Sequence, residues 1–110
     1  KDTVLISVIV FRTGKSTIET DQEFNLYTVA QYMMKYREKQ VKIASYTDIK
    51  ASTADINLQV SKKRAEAVIK VLSEKYNIPA NRFIIMNFSG NKQSVPINNI
   101  WNKISIYTFK

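Results

Sequence analysis

Val41-Lys42-Ile43-Ala44-Ser45-Tyr46-Thr47-Asp48-Ile49-Lys50-Ala51-Ser52-Thr53-Ala54-Asp55-Ile56-Asn57-Leu58-Gln59-Val60-Ser61-Lys62-Lys63-Arg64-Ala65-Glu66-Ala67-Val68 begins as a strand, crosses a polar loop and continues as a helix. Val41 to Tyr46 is short, apolar and rich in strand formers. Thr47 to Ala54 reads as loop. From about Asn57 the apolar spacing becomes helical, with Val60, Ala67, Val68, Val71, Leu72 and Tyr76 as the predicted inward ladder. Arg64 stands four residues after Val60 and four before Val68, on that ladder. A helical side chain leans toward the start of its helix, so Arg64 is directed back toward the loop that carries Asp48.

Outward from this segment the pattern repeats. Val4 to Phe11 is a nearly continuous β-branched run, read as a central strand buried on both faces. Arg12 to Ser16 reads as a turn. Thr20-Asp21-Gln22-Glu23 fits a capping box opening a helix with Leu26, Val29, Ala30 and Met33 inward and Phe24, Tyr27 and Met34 alongside. Lys35, Arg37 and Lys39 follow near the helix end, where cations suit the dipole. Asn77 is a candidate left-handed helix terminator, and Pro79 blocks continuation. Arg82 to Phe88 predicts a third strand and Lys103 to Phe109 a fourth, with Ile104 and Ile106 on one face and Tyr107 and Phe109 on the other.

The expected class is α+β, order β-α-β-α-β-β, with a mixed four-stranded sheet packed on two helices. Each strand–helix–strand unit predicts parallel pairing of the strands it joins. The last strand, reached without a helix, is expected to run antiparallel to the third. Residues 1–110 are expected to form a single domain, a fragment of a longer secreted or outer-membrane protein.

Composition narrows the chemistry. The chain has 110 residues, 45% hydrophobic, enough for one core. It has no Cys and no His. That excludes disulfides, thiolate chemistry, the common zinc sites and histidine acid–base catalysis. No apolar run reaches bilayer-spanning length, so no direct membrane insertion by this domain is expected. The net charge of +8, from 17 basic and 9 acidic residues, suits an anionic partner or else a solvated lysine surface. Charge alone motivates nucleic acid, and no glycine-rich strand motif supports it, so no nucleic-acid partner is expected. Neither a cofactor nor a metal ion is expected. Asp48 and Asp55 could in principle form a carboxylate pair, but Asp55 is more simply a helix-start charge. Lys62-Lys63 reads as a solvated helix face and Trp101 as an apolar plug. No catalytic residue is expected.

Ligands in open α/β sheets bind beyond the carboxyl ends of strands. Asp48 follows such an end, and the loop and helix start add backbone N–H donors suited to a carboxylate. A guanidinium can hold a carboxylate through two parallel bonds, and Asp48 can accept from an ammonium. The pair therefore suits a zwitterion, such as the free end of an amino acid. Taken by itself, it more simply suits a plain ion pair tying loop to helix.

The pattern Thr47-Asp48, Ser52-Thr53, then Asn57-x-x-Val60-Ser61-x-x-Arg64-Ala65-x-x-Val68 resembles the central motif of OmpA-like domains. Val10-Phe11 with Gly14, Ser16 and Ile18 resembles that family's first strand and turn. Tyr76 to Arg82 resembles its G-I-P-A-x-R segment, and Gly90 to Pro96 with Asn102 to Ile106 its last loop and strand. The resemblance covers nearly the whole chain. It implies a periplasmic domain, associated with the outer membrane of a Gram-negative bacterium, that binds the peptidoglycan stem peptide without covalent chemistry, commonly at meso-diaminopimelate. It also implies roles: Asp48 for the ammonium, Arg64 for the carboxylate, Asn57 and Thr47 in support. The chain departs from the pattern at Ala51-Ser52 in the loop, at Val60, at Phe88 and at Trp101-Asn102-Lys103. Those departures motivate an alternative, a structural or protein-interaction domain on the same fold with a degenerate pocket.

Overall fold

A computed structural model describes residues 3–12, 15–46, 54–87 and 101–109; of the side chains at 46, 54–57, 87, 101–103 and 109 nothing is described. The elements are β1 (Thr3–Arg12), α1 (Glu23–Lys35), β2 (Val41–Tyr46), α2 (Ala54–Tyr76), β3 (Phe83–Asn87) and β4 (Trp101–Phe109). Short 3-10 turns at Thr20–Gln22 and Ala80–Arg82 lead into α1 and β3. The class is the expected one: an α+β domain with a mixed four-stranded sheet and two helices. Bounds moved at several elements. α2 starts three residues before the predicted Asn57, and β4 two residues before Lys103. Arg82 belongs to the turn before β3, not to the strand, and Phe88 lies outside the described residues.

The sheet order is β1-β4-β2-β3. β4 lies between β1 and β2 and is antiparallel to both, while β2 and β3 are parallel. The unit joining β2, α2 and β3 thus pairs its strands in parallel as expected. The unit joining β1, α1 and β2 does not, because β4 takes the place between them. β4 does run opposite to β3 in direction, but its neighbours are β1 and β2. The expectation of a central, doubly buried first strand is likewise overturned. β1 is an edge strand with Val4 and Leu5 exposed, while Ile9 and Phe11 face the core. A β-branched run satisfies strand packing whether one face or two are covered, so its apolar continuity did not report its place in the sheet. A register irregularity between Leu5 and Ser7 bends this edge, one way in which edges are kept from pairing further.

Both helices pack on one face, α1 over β1 and α2 over β2 and β3. The core joins Ile9 and Phe11 to Val41, Ile43, Ile104 and Ile106 from the sheet, with Leu26, Val29, Ala30 and Met33 from α1 and Ala65, Val68 and Leu72 from α2. The α1 ladder is the predicted one, and Phe24, Tyr27 and Met34 lie at the surface. On α2 the stripe is rotated from the predicted ladder. Its buried positions among the described side chains are Ser61, Arg64, Ala65, Val68 and Leu72, with Val60, Ala67, Val71 and Tyr76 only partly covered.

The capping box at Thr20 does not form. α1 begins at Glu23, and neither Gln22 nor Glu19 makes a side-chain cap. The chain tightens into a 3-10 turn there, with the Gln22 N–H bonding the Glu19 carbonyl at 2.9 Å. The Gln22 side chain is instead spent on β1: its Oε1 accepts from the Val10 N–H at 2.9 Å and from Asn25 Nδ2 at 3.1 Å. At the other end of the helical layer, Asn77 takes φ of 59° and ends α2 as expected. The Asn77 N–H bonds the Ser73 carbonyl at 3.1 Å and the Ile78 N–H bonds the Leu72 carbonyl at 3.2 Å. Because the left-handed region disfavours a Cβ, and a branched one most, Asn77→Val should cost about 1–2 kcal/mol. Asn77→Gly should be close to neutral. Urea denaturation of the two variants checks this; equal stability of Asn77→Val and wild type would contradict it.

Candidate functional site

The registers gather one end of the sheet at one place. β1 ends at Arg12 opposite Trp101 of β4, β2 ends at Tyr46 opposite Lys103, and β3 ends at Asn87. α2 begins eight residues after Tyr46. Asp48 follows β2 by two residues, so in sequence it is placed at this end. Thr47 and Asp48 themselves lie outside the described residues, as do Ala51, Ser52 and Thr53. Asn57 lies in the first turn of α2, and its side chain is not described. Arg64 is the one predicted site residue whose side chain is described, and it faces inward as predicted.

Arg64 has no solvent-exposed surface and is among the largest fully buried side chains of the domain. Its Nε donates to the Lys15 carbonyl at 2.7 Å and its Nη2 to the Arg12 carbonyl at 3.0 Å. The guanidinium carbon lies 5.1 Å from the centre of the Phe11 ring. Thus α2 reaches across the layer and clasps the turn that leaves β1. Burial lowers the Arg64 pKa from 12.5 to about 10, because desolvation penalises the charged form. The group still carries its charge at neutral pH.

The earlier start of α2 changes one distance. Arg64 stands ten residues into the helix rather than in its opening turns, roughly 15 Å along the axis from the helix start. The arginine stem, leaning toward the N-terminus, spans part of that gap. The helix-start N–H groups and the guanidinium are therefore two separated polar points rather than one cluster.

Other polar groups are buried nearby in sequence. Ser61, one turn before Arg64, is fully buried. Ser45, the penultimate residue of β2, is fully buried, and its hydroxyl has no hydrogen-bond partner among the described residues. Lys62 and Lys63 are exposed, in keeping with a solvated face. Among the described residues no cluster of His, Cys, Asp and Glu could hold a metal ion, and no helix is long and apolar enough to cross a membrane.

Two roles escaped the sequence reading. Phe11, a strand residue in the sequence, also lies against the guanidinium. Arg82 was assigned to a strand, although its guanidinium closes the end of α1. It donates to the carbonyls of Met33 (2.8 Å), Tyr36 (2.7 Å) and Lys39 (2.7 and 3.2 Å). Two signals pointed to Arg82: the chemistry of an arginine, a fork of five donors with no acceptor, and its place at the end of the segment resembling G-I-P-A-x-R. A cleft of about 410 Å³ beside it is lined by Met33, Arg37, Tyr76, Ile78 and Arg82 among others, at the end of the sheet away from Arg64.

Residues 10–107 match the OmpA family. The chain belongs to the OmpA family. Its family match takes in β1 from Val10 through β4, and so includes Phe11, the clasped turn and Arg64. Outer membrane protein 40 of Porphyromonas gingivalis is 36% identical over 105 residues, covering 96% of this chain. The chain spans about a quarter of that relative's length, 27%. In three dimensions the domain is similar to the peptidoglycan-associated lipoprotein of Burkholderia pseudomallei, with a TM-score of 0.81, 19% identity, and coverage of 94% of this chain and 90% of that one. It is also similar to the cell wall anchor of the type VI secretion system of Pseudomonas aeruginosa, with a TM-score of 0.70, 18% identity, and coverage of 91% and 74%. At these identities the two structures speak to the OmpA fold alone.

Proposed function

We propose that this OmpA-family domain binds peptidoglycan without catalysis and anchors a longer outer-membrane or periplasmic protein to the cell wall. The ligand is the stem peptide, held at the free end of its diaminopimelate, and the setting is the periplasm of a Gram-negative bacterium. Asp48 accepts from the ligand ammonium, Arg64 meets its carboxylate, and Thr47 and Asn57 support the pocket. The observation that carries this reading is Arg64: a charged side chain fully buried at an inward position of α2, in the motif that follows Asp48. A guanidinium is a bidentate match for a carboxylate, and this one stays charged at neutral pH. The names of the similar lipoprotein and cell wall anchor support the choice of polymer. The charge of +8 suits an anionic wall.

Co-sedimentation with purified sacculi tests it. Wild type should pellet, and Asp48→Ala should bind about tenfold or more weakly, the usual loss for a charged hydrogen bond. Equal sedimentation of wild type and Asp48→Ala would remove Asp48 from the site. A second reading has its own support. The described bonds of Arg64 run to main-chain carbonyls of this chain, which suits a structural or protein-interaction domain on the OmpA fold with a degenerate pocket. Micromolar binding of a diaminopimelate-containing peptide would count against that reading.

A further inference from the structure

Helix α1 carries two apolar stripes. Leu26, Val29, Ala30 and Met33 face the core and are buried. Phe24, Tyr27, Gln31 and Met34 form the second, at steps of three, four and three residues, the spacing of a coiled-coil seam. This second stripe faces solvent: Phe24 is 73% exposed, Met34 44% and Tyr27 42%, and Gln31 is exposed too. Packing of the domain core accounts for the first stripe and for none of the second. A contiguous exposed apolar row of this kind marks an interaction surface.

The row is built as one surface with the end of α2. The rings of Phe24 and Tyr27 lie 6.5 Å apart, and those of Tyr27 and Tyr76 6.3 Å apart. A cleft opens on each side of Tyr76. One, of about 300 Å³, is lined by Glu23, Leu26 and Tyr76 among others, and the other, of about 410 Å³, by Met33, Met34, Arg37 and Tyr76 among others. Glu23 at the start of α1 and Arg37 just past its end therefore lie on the same flank of the stripe.

The stripe is complementary to its own reverse. Phe24 and Met34 each stand five residues from Val29, and Tyr27 and Gln31 each stand two from it. A second α1 laid antiparallel and centred at the level of Val29 sets Phe24 against Met34 of the other copy, twice, and Tyr27 against Gln31, twice. A thioether beside an aromatic ring is a favourable contact. The central layer is polar: within one chain Gln31 Nε2 donates to the Tyr27 hydroxyl, and pairing brings two such pairs face to face. A polar layer in a seam fixes register at some cost in stability. Charge selects the same direction. Asp21 and Glu23 stand at the start of α1 and Lys35 and Arg37 at its end, all exposed, so antiparallel pairing lays each acidic start against a basic end. Parallel pairing sets like against like. These four charges cancel, so the net charge of +8 is carried elsewhere and does not concentrate repulsion at this face.

We propose that the outer face of α1 is a homodimer interface, in which the stripe of Phe24, Tyr27, Gln31 and Met34 pairs antiparallel with the same stripe of a second copy about a twofold axis. α1 has 13 residues, roughly 20 Å of helix. The contact is therefore smaller than a standard stable interface and belongs to the weak, transient class, with a Kd on the order of 100 μM. Two copies joined in this way present two sheet ends to a repeating polymer, and the second attachment gains from effective concentration. That consequence rests on the proposed function above; the interface does not.

Sedimentation equilibrium of the 110-residue chain tests the interface. Wild type should pass from monomer to dimer as its concentration rises toward about 1 mM. By the twofold symmetry, Phe24→Glu and Met34→Lys each alter two contacts, and each should weaken dimerisation about tenfold or more. Both positions are exposed, so the Tm of each variant should stay close to that of wild type. An equimolar mixture of the two variants is the deciding measurement. Their heterodimer sets the introduced carboxylate opposite the introduced ammonium and keeps one native Phe24–Met34 contact, so the mixture should dimerise more tightly than either variant alone. A wild type that stays monomeric at about 1 mM overturns the proposal and leaves the stripe to a partner other than this chain. Variants that dimerise as wild type does overturn it too, and so does a mixture no tighter than its components, which removes the antiparallel register.

Discussion

Arg64→Ala should destabilise the domain by about 3–5 kcal/mol, a large part of the 5–15 kcal/mol that domains of this kind possess. The substitution removes two bonds to turn carbonyls at 2.7 and 3.0 Å. Each bond from a charged donor to these part-buried carbonyls contributes about 1.5–3 kcal/mol. It also opens a cavity where one of the largest fully buried side chains stood, which adds to the cost. The corresponding fall in Tm is roughly 15–20 °C. Arg64→Lys keeps the charge but not the fork, so it should recover less than half of the loss. Thermal and urea denaturation check both values. An Arg64→Ala variant as stable as wild type would mean that the clasp on the β1 turn contributes nothing.

This expectation bears on how the site is tested. Loss of sacculus binding by Arg64→Ala would not separate ligand contact from loss of fold, so the Tm of each variant, Asp48→Ala included, is read beside its binding. A ligand carboxylate must also displace whatever lies over a guanidinium with no exposed surface. Protonation is not the variable here. Burial lowers the Arg64 pKa only to about 10, so the guanidinium stays charged across neutral pH, and a change in binding between pH 5 and 8 would come from another group.

Arg82→Ala is expected to cost about 2–4 kcal/mol, and roughly 10–15 °C in Tm, while leaving the ligand site unchanged. Helix ends leave several carbonyls without intrahelical partners. At the end of α1 the fork of Arg82 takes the carbonyls of Met33 and Tyr36, together with that of Lys39 in the segment leading to β2. A charged donor is worth more here than a neutral one, because it also opposes the negative end of the helix dipole. Lysine offers three donors from a single point and cannot span three carbonyls, so Arg82→Lys should fall between alanine and wild type. Hydrogen exchange should locate the effect: amides in the last turn of α1 and the start of β2 should lose protection first. The value of this variant is as a control. It lowers stability from the end of the sheet opposite Tyr46 and Asn87, so weakened peptidoglycan binding by Arg82→Ala at temperatures where it is folded would show that binding tracks stability alone.

The order of the six elements, the bounds of β2 and the buried ladder of α1 were all legible in the chain. So was the inward direction of Arg64, since a residue four positions from Val60 and from Val68 shares their side of any helix. Periodicity is a local property and survives without knowledge of neighbours. The motif shared with OmpA-like domains was equally local, and the match over residues 10–107 bears it out.

Tertiary structure alone decided the rest. Nothing near Val4–Phe11 states that β4 will take the place beside it, because that pairing joins residues about a hundred positions apart, Thr3 with Phe109 and Arg12 with Trp101. Once β4 lies between β1 and β2, β1 becomes an edge and its outer apolar residues are left uncovered. The partners of Arg64 and Arg82 are non-local in the same way, at separations of 49 and 52 residues for the first and 43 to 49 for the second. A guanidinium announces that it needs acceptors. Which carbonyls supply them depends on where the chain's distant turns come to rest, and only the packing of helices on the assembled sheet determines that.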